Sequence, residues 1–145
     1  MNLLQEFTIT LPRSEVLTSN GGRGDRYGHG KKVKNIIEKT KPHLHGLRAM
    51  DSVFVVVQVF RGGNYRYDAA NLHETCKPIM DAVVRHGLLP DDDNDHLIGP
   101  LPVHGGVDRS LSKKANPYVG ERVRFRVLFF DDFYVRQGLA NAVSV

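Results

Sequence analysis

Cysteine occurs once in this chain, at Cys76, so neither an internal disulfide framework nor a cysteine-rich zinc site can form. Long apolar runs are lacking: the longest, residues 53–60, is far short of a membrane span and is broken by Gln58. Residues 1–10 lack the basic segment followed by an apolar segment that marks a secretory leader. Repeats, low-complexity tracts and interdomain linkers are missing too. These absences predict one soluble domain over 1–145, cytoplasmic, with no membrane partner.

Several catalytic signatures are also missing. The glycine-rich stretch 19–24, with Gly28 and Gly30 close behind, has neither a Gly-Lys-Ser/Thr end nor a G-x-G-x-x-G frame, and reads as a surface loop. His73-Glu74 is followed by Lys77 where a zinc-protease helix needs histidine, and no G-x-S-x-G elbow occurs. Asp91, Asp93 and Asp95 fit the opening of a calcium loop. His96 then stands where that loop needs glycine, and Pro102 where it needs glutamate, so the reading fails.

What is present is a small basic chain with an acidic knot. The 145 residues carry a net charge of +4, with 41% hydrophobic and 25% charged side chains. That composition suits one globular core and permits a nucleic-acid partner without demanding one. Against it stand four aspartates within residues 91–95. Carboxylates so close repel one another unless a cation neutralises them.

The periodicities predict an α/β (α+β) fold: a small mixed sheet of about four strands with two main helices, in the order β-α-β-α-β-β. Residues 7–11 alternate as a short first strand ending at Pro12. Residues 31–41 read as a basic helix, with Val33, Ile36 and Ile37 at helical spacing and Lys31, Lys32 and Lys34 on the remainder. Residues 52–60 are β-branched and apolar, which predicts a central strand covered on both faces. Residues 71–86 read as a second helix stopped by Gly87, with Pro78 as an awkward member. Residues 96–103 suit an edge strand because of Pro100 and Pro102, and residues 104–117 a polar loop. Residues 122–130 alternate cleanly, putting Val123, Phe125, Val127 and Phe129 inward and Arg122, Arg124 and Arg126 on the opposite face.

Three acidic or polar groupings bear on chemistry. Asp68 lies between the central strand and the second helix, where it can cap a turn or bind a cation. His73, Lys77 and Asp81 recur every four residues and share one helix stripe. The run from Asp91 to Asp95 follows that helix. Asp68 and the run can converge if the strands bearing them lie side by side.

The sequence Tyr65-Arg66-Tyr67-Asp68-Ala69-Ala70-Asn71-Leu72, then Lys77-Pro78-Ile79-Met80-Asp81-Ala82-Val83, then Gly87-Leu88-Leu89-Pro90-Asp91-Asp92-Asp93, resembles the RusA family of Holliday junction resolvases. The likeness covers roughly the middle third of the chain by motif. It implies a dimeric α/β nuclease that binds branched DNA and uses Mg²⁺, or Mn²⁺, held by aspartates. Carried over by position, Asp68 and Asp92 are family aspartates, with Asp91 and Asp93 beside them as further metal ligands. Lys77 is the family lysine. The remaining family aspartate is replaced: its place falls on Ala70 counted from the front and on His73 counted from Lys77. His73, one turn along, can stand in for that metal or water contact, with Glu74 as another candidate. Lys31, Lys32, Lys34, Arg66, Arg122, Arg124 and Arg126 are the expected grip on the DNA backbone. The alternative, raised by Ala70, is a branched-DNA-binding protein that keeps the fold with weakened cleavage.

Overall fold

The computed structural model describes residues 1–19 and 26–143. Most of the glycine-rich loop singled out above, from Asn20 to Gly24, lies outside the described residues. Four strands and three helices follow in the order β1 (Leu3–Pro12), α1 (Arg26–Thr40), β2 (Val53–Arg61), α2 (His73–Arg85), β3 (Leu97–Val107), β4 (Arg122–Phe130) and α3 (Phe133–Val143). The sheet order is β1-β4-β2-β3, with β4 antiparallel to both its neighbours and β3 parallel to β2.

The register follows from alternation. Val123, Phe125, Val127 and Phe129 of β4 face the core opposite Leu11, Ile9, Phe7 and Gln5 of β1, respectively. Val53, Val55, Val57 and Val59 supply the β2 layer. Ile36 and Ile37 of α1, with Cys76, Ile79, Met80 and Val83 of α2, pack on this face. The result is two layers, helices over one face of the sheet.

The other sheet face is not covered by helices, which corrects the expectation for β2. Its residues alternate between fully and partly buried along the strand. Phe54, Val56, Gln58 and Phe60 therefore lie on a half-open face rather than in a second core. Local turn chemistry sets the ends of α2. A single 3-10 turn, Ala69–Leu72, leads into it. Gly87 ends it at φ 87°. Gly87 N–H donates to the Val84 carbonyl at 2.9 Å and Leu88 N–H to Val83 at 3.1 Å, a Schellman stop. Pro78 sits inside the helix without breaking it.

Four further differences stand out. α1 begins at Arg26, so it takes in Gly28 and Gly30, which were expected beside a surface loop. β3 runs to Val107, so it takes in the front of the segment expected to be loop. β1 begins at Leu3, well before residue 7. The helix α3 has no counterpart in the sequence reading; none of its residues is buried, so no apolar stripe announces it.

Candidate functional site

Asp68 stands at the C-terminal end of β2, in a segment that turns into α2. Its backbone is extended and its Oδ1 accepts the Ala70 N–H at 3.0 Å, so it caps the turn that leads into the helix. The side chain is exposed. It borders a cleft of about 340 Å³ whose polar lining includes Arg13, Arg61, Tyr65, Arg66, Tyr67 and Asn71.

The cleft wall is tied together across long sequence separations. Thr75 of α2 is buried; its hydroxyl donates to the Leu17 carbonyl at 2.6 Å and accepts the Leu17 N–H at 2.8 Å. Ser19 N–H donates to the Asn71 carbonyl at 2.9 Å. The segment after β1 is thereby held against the start of α2.

Two guanidinium groups and two phenol rings crowd one side. Arg13 lies 4.8 Å from the centre of the Tyr65 ring, and Arg61 lies 5.3 Å from Tyr65 and 4.2 Å from Tyr67. Such cation–ring contacts fix both partners. Arg13 also pairs with Glu121 at 2.7 Å. Burial, followed by the Glu121 carboxylate, pushes the Tyr65 phenol up to about 12. Burial likewise raises Tyr67. Both rings are therefore neutral at physiological pH.

The start of α2 adds His73, Glu74 and, one turn on, Lys77, all exposed. Asp81 follows on the same stripe, half-buried. The expected stripe is present, beginning at the cleft end of the helix.

The aspartate run is elsewhere. β2 and β3 do lie side by side, but they are parallel. The chain therefore leaves β2 at one end of the sheet and enters β3 at the other, with α2 running back between them. Val53 N–H donates to the His96 carbonyl at 2.9 Å, which fixes the run beside the start of β2. The thirteen residues of α2 separate the two places, a distance of about 20 Å at the usual rise per residue. Magnesium–oxygen bonds are about 2 Å long, so Asp68 and Asp92 of one chain cannot share an ion.

Within the run the carboxylates shape the loop. Asp91 Oδ1 accepts the Asp92 N–H at 2.7 Å and Asp93 Oδ1 accepts the Asp95 N–H at 3.1 Å. Asp93 also lies 4.0 Å from His96. His96 Nδ1 meets the Asp51 carbonyl at 2.8 Å, and this contact, aided by the nearby aspartates, raises the imidazole above its ordinary value. Among the described residues no cluster of three or more histidine, cysteine or carboxylate side chains is arranged to hold a metal. The metal set expected of Asp68, Asp91, Asp92 and Asp93 is therefore not assembled within one chain.

The expected DNA grip divides in the same manner. Lys31, Lys32 and Lys34 are exposed on α1. Arg66 is exposed at the cleft. Arg124 and Arg126 are engaged by Asp108 and Glu6, each at 2.7 Å, so two of the three β4 arginines already have carboxylate partners. Arg122 is half-buried at the end of the strand.

Sequence reading missed Arg13, Arg61, Tyr65, Tyr67 and His104 as a group. One signal was available: Arg61 continues the inward positions 53, 55, 57 and 59 of β2, and a cation on the core face of a strand is abnormal. Cys76 is inert, its thiol pushed up to about 12 by burial. No helix among the described residues is long and apolar enough to cross a membrane. Neither the protein-family models nor the curated proteins contain a match to this chain.

Proposed function

We propose that the protein is a structure-specific endonuclease that binds branched DNA at the Asp68 cleft and hydrolyses a phosphodiester there with Mg²⁺ or Mn²⁺. The supporting observation is the meeting of an exposed carboxylate, Asp68, with arginines and tyrosines at the mouth of a cleft, next to the helix end that carries His73 and Lys77. The motif likeness to RusA resolvases points to the same residues.

Phosphodiester chemistry asks for charge neutralisation at the attacked phosphorus and for a placed water. A divalent ion, when bound, neutralises phosphate charge and activates water. Arg66 supplies positive charge at the cleft mouth, and Lys77 a mobile ammonium one turn into α2. His73 is exposed and can orient water or accept its proton. The exposed lysines of α1 extend the backbone grip without reading sequence.

Asp92 enters this scheme only from a second copy. A two-fold dimer that sets the acidic loop of one copy against the cleft of the other completes a carboxylate pair twice, in keeping with a four-way DNA substrate. The proposed metal site is therefore shared between copies.

The experiment is a cleavage assay on four-way, flap and linear duplex DNA, with and without Mg²⁺. Metal-dependent cutting of branched substrates is expected, with binding that weakens steeply as salt rises. Binding without cutting selects the second reading, a branched-DNA-binding protein with weakened catalysis, which Ala70 favours. Failure to bind any of these DNAs overturns both.

A further inference from the structure

We infer that Arg61 anchors an oxyanion subsite in the cleft, shaped for a phosphate group. The starting observation is a buried charge without a counter-charge. Arg61 is 8% exposed, and a buried cation is costly unless an opposite charge accompanies it. Neither of its hydrogen-bond partners is a carboxylate: Nε donates to the Gly63 carbonyl at 2.8 Å, and Nη1 meets His104 Nδ1 at 3.3 Å. Arg13, Arg124, Arg126 and Arg136 each pair with a carboxylate. Among the described residues Arg61 pairs with none.

The surroundings hold this guanidinium in place. It lies against both the Tyr65 and Tyr67 rings, which also meet each other edge to face. The Tyr67 hydroxyl meets the same His104 Nδ1 at 2.9 Å. A guanidinium can only donate, so the imidazole brings Arg61 no negative charge. The backbone is clamped as well. Asp108 N–H donates to the Arg61 carbonyl at 2.8 Å. A Cβ at Gly62 would lie 2.4 Å from the Ser112 nitrogen, so only glycine lets the two segments approach.

Ring faces offset part of the charge but cannot receive a planar N–H pair as two oxygens do. Neither Nε nor Nη1 engages a carboxylate, and the guanidinium carries five N–H groups in all. It lines the same cleft as Arg66, which is exposed. A phosphate presents oxygens in several directions and so can engage the fixed fork and the mobile arginine together. The phosphate can belong to a nucleic-acid backbone or be free. The inference shares its cleft with the proposed nuclease reading, but it rests on the buried guanidinium and does not require cleavage.

The test uses the full chain, inorganic phosphate and a short single-stranded oligothymidylate, with affinities for the wild type and Arg61→Lys. The lysine keeps the charge and removes the fork. Both probes should compete for one site, and Arg61→Lys should weaken at least one by about tenfold while circular dichroism at the assay temperature stays as in the wild type. The Arg61 Nε–H resonance of the wild-type protein should move on adding phosphate, a readout that does not depend on the variant folding. Phosphate binding at Arg61 without oligonucleotide binding keeps the subsite and removes the DNA reading. Unchanged affinities in Arg61→Lys, or an Arg61 resonance that neither probe moves, overturn the subsite even if DNA is cleaved.

Discussion

The two ends of the β2–α2–β3 unit use charge in opposite ways. At the C-terminal end of β2, Arg61 is buried against two aromatic rings, the chain is clamped at Gly62, and Asp68 stands exposed at the rim. At the start of β3, several aspartates are crowded into an exposed loop whose carboxylates accept neighbouring N–H groups. The first end is a rigid cationic cavity and the second a solvated acidic turn. Density of charge in sequence thus pointed to the less organised end. A lone arginine at an inward strand position marked the more organised one.

The largest expected effect separates the ends by chemistry. Asp68→Asn should lower cleavage by roughly a thousandfold while DNA binding survives. Asp91→Asn, in which the side-chain oxygen can still accept the Asp92 N–H, should leave both within about twofold of wild type. Single-turnover cleavage measures the pair, and equal losses would erase the distinction drawn between the ends.

The next effect is on stability. Gly62→Ala forces a Cβ against backbone and should cost about 3 kcal/mol. Gly87→Ala, at the acidic end, meets no atoms within 4 Å but must hold φ near 87°, which costs about 1 kcal/mol. Urea unfolding midpoints should rank them in that order. Thr75→Val strands the Leu17 N–H and carbonyl and falls between them, at about 2 kcal/mol.

The smallest effects concern pH. Asp108 is held down to about 2, first by the Ser110 hydroxyl and then by Arg124, against an ordinary 3.8. A carboxyl depressed by folding stabilises the fold above its unfolded value and loses that contribution as pH falls toward 2. Asp108→Asn should therefore flatten the acid side of the stability curve. His96 is raised from 6.5 by the Asp51 carbonyl and the neighbouring aspartates. Its contribution is complete below pH 6.5 and is lost as pH rises through the folded value. Asp93→Asn should lower the His96 titration midpoint measured by NMR and leave the Asp108 limb unaltered.

The fold was legible where one period dominates. Alternation in 122–130 placed Val123, Phe125, Val127 and Phe129 inward and the arginines outward, as β4 shows. The stripe through Cys76, Ile79, Met80 and Val83, with Gly87 behind it, marked α2 and its stop. The exposed α3 was invisible because it buries no face. β2 looked doubly buried because its outward Phe54, Val56 and Phe60 are as apolar as its inward residues.

The candidate site's local elements were legible in the sequence, and their long-range geometry was not. Asp68 lines the cleft, and His73 and Lys77 lie exposed on the first turns of the helix that begins beside it. Whether Asp92 joins them depends on strand direction, which no local spacing encodes. Parallel pairing of β2 with β3 sends it to the far end. The partners of Arg13 and Arg124 are long-range contacts to Glu121 and Asp108, and only the folded sheet selects them.

The most direct test of the shared-site account mixes two inactive proteins. Asp68→Asn and Asp92→Asn are purified separately, unfolded together and refolded, and Mg²⁺-dependent nicking of a four-way junction is measured. If Asp92 of one copy serves the cleft of another, hybrid dimers hold one intact carboxylate pair and nicking reappears. If the mixture stays as inactive as its parents while hybrid dimers form, Asp68 and Asp92 do not act across copies, and the proposed site is wrong.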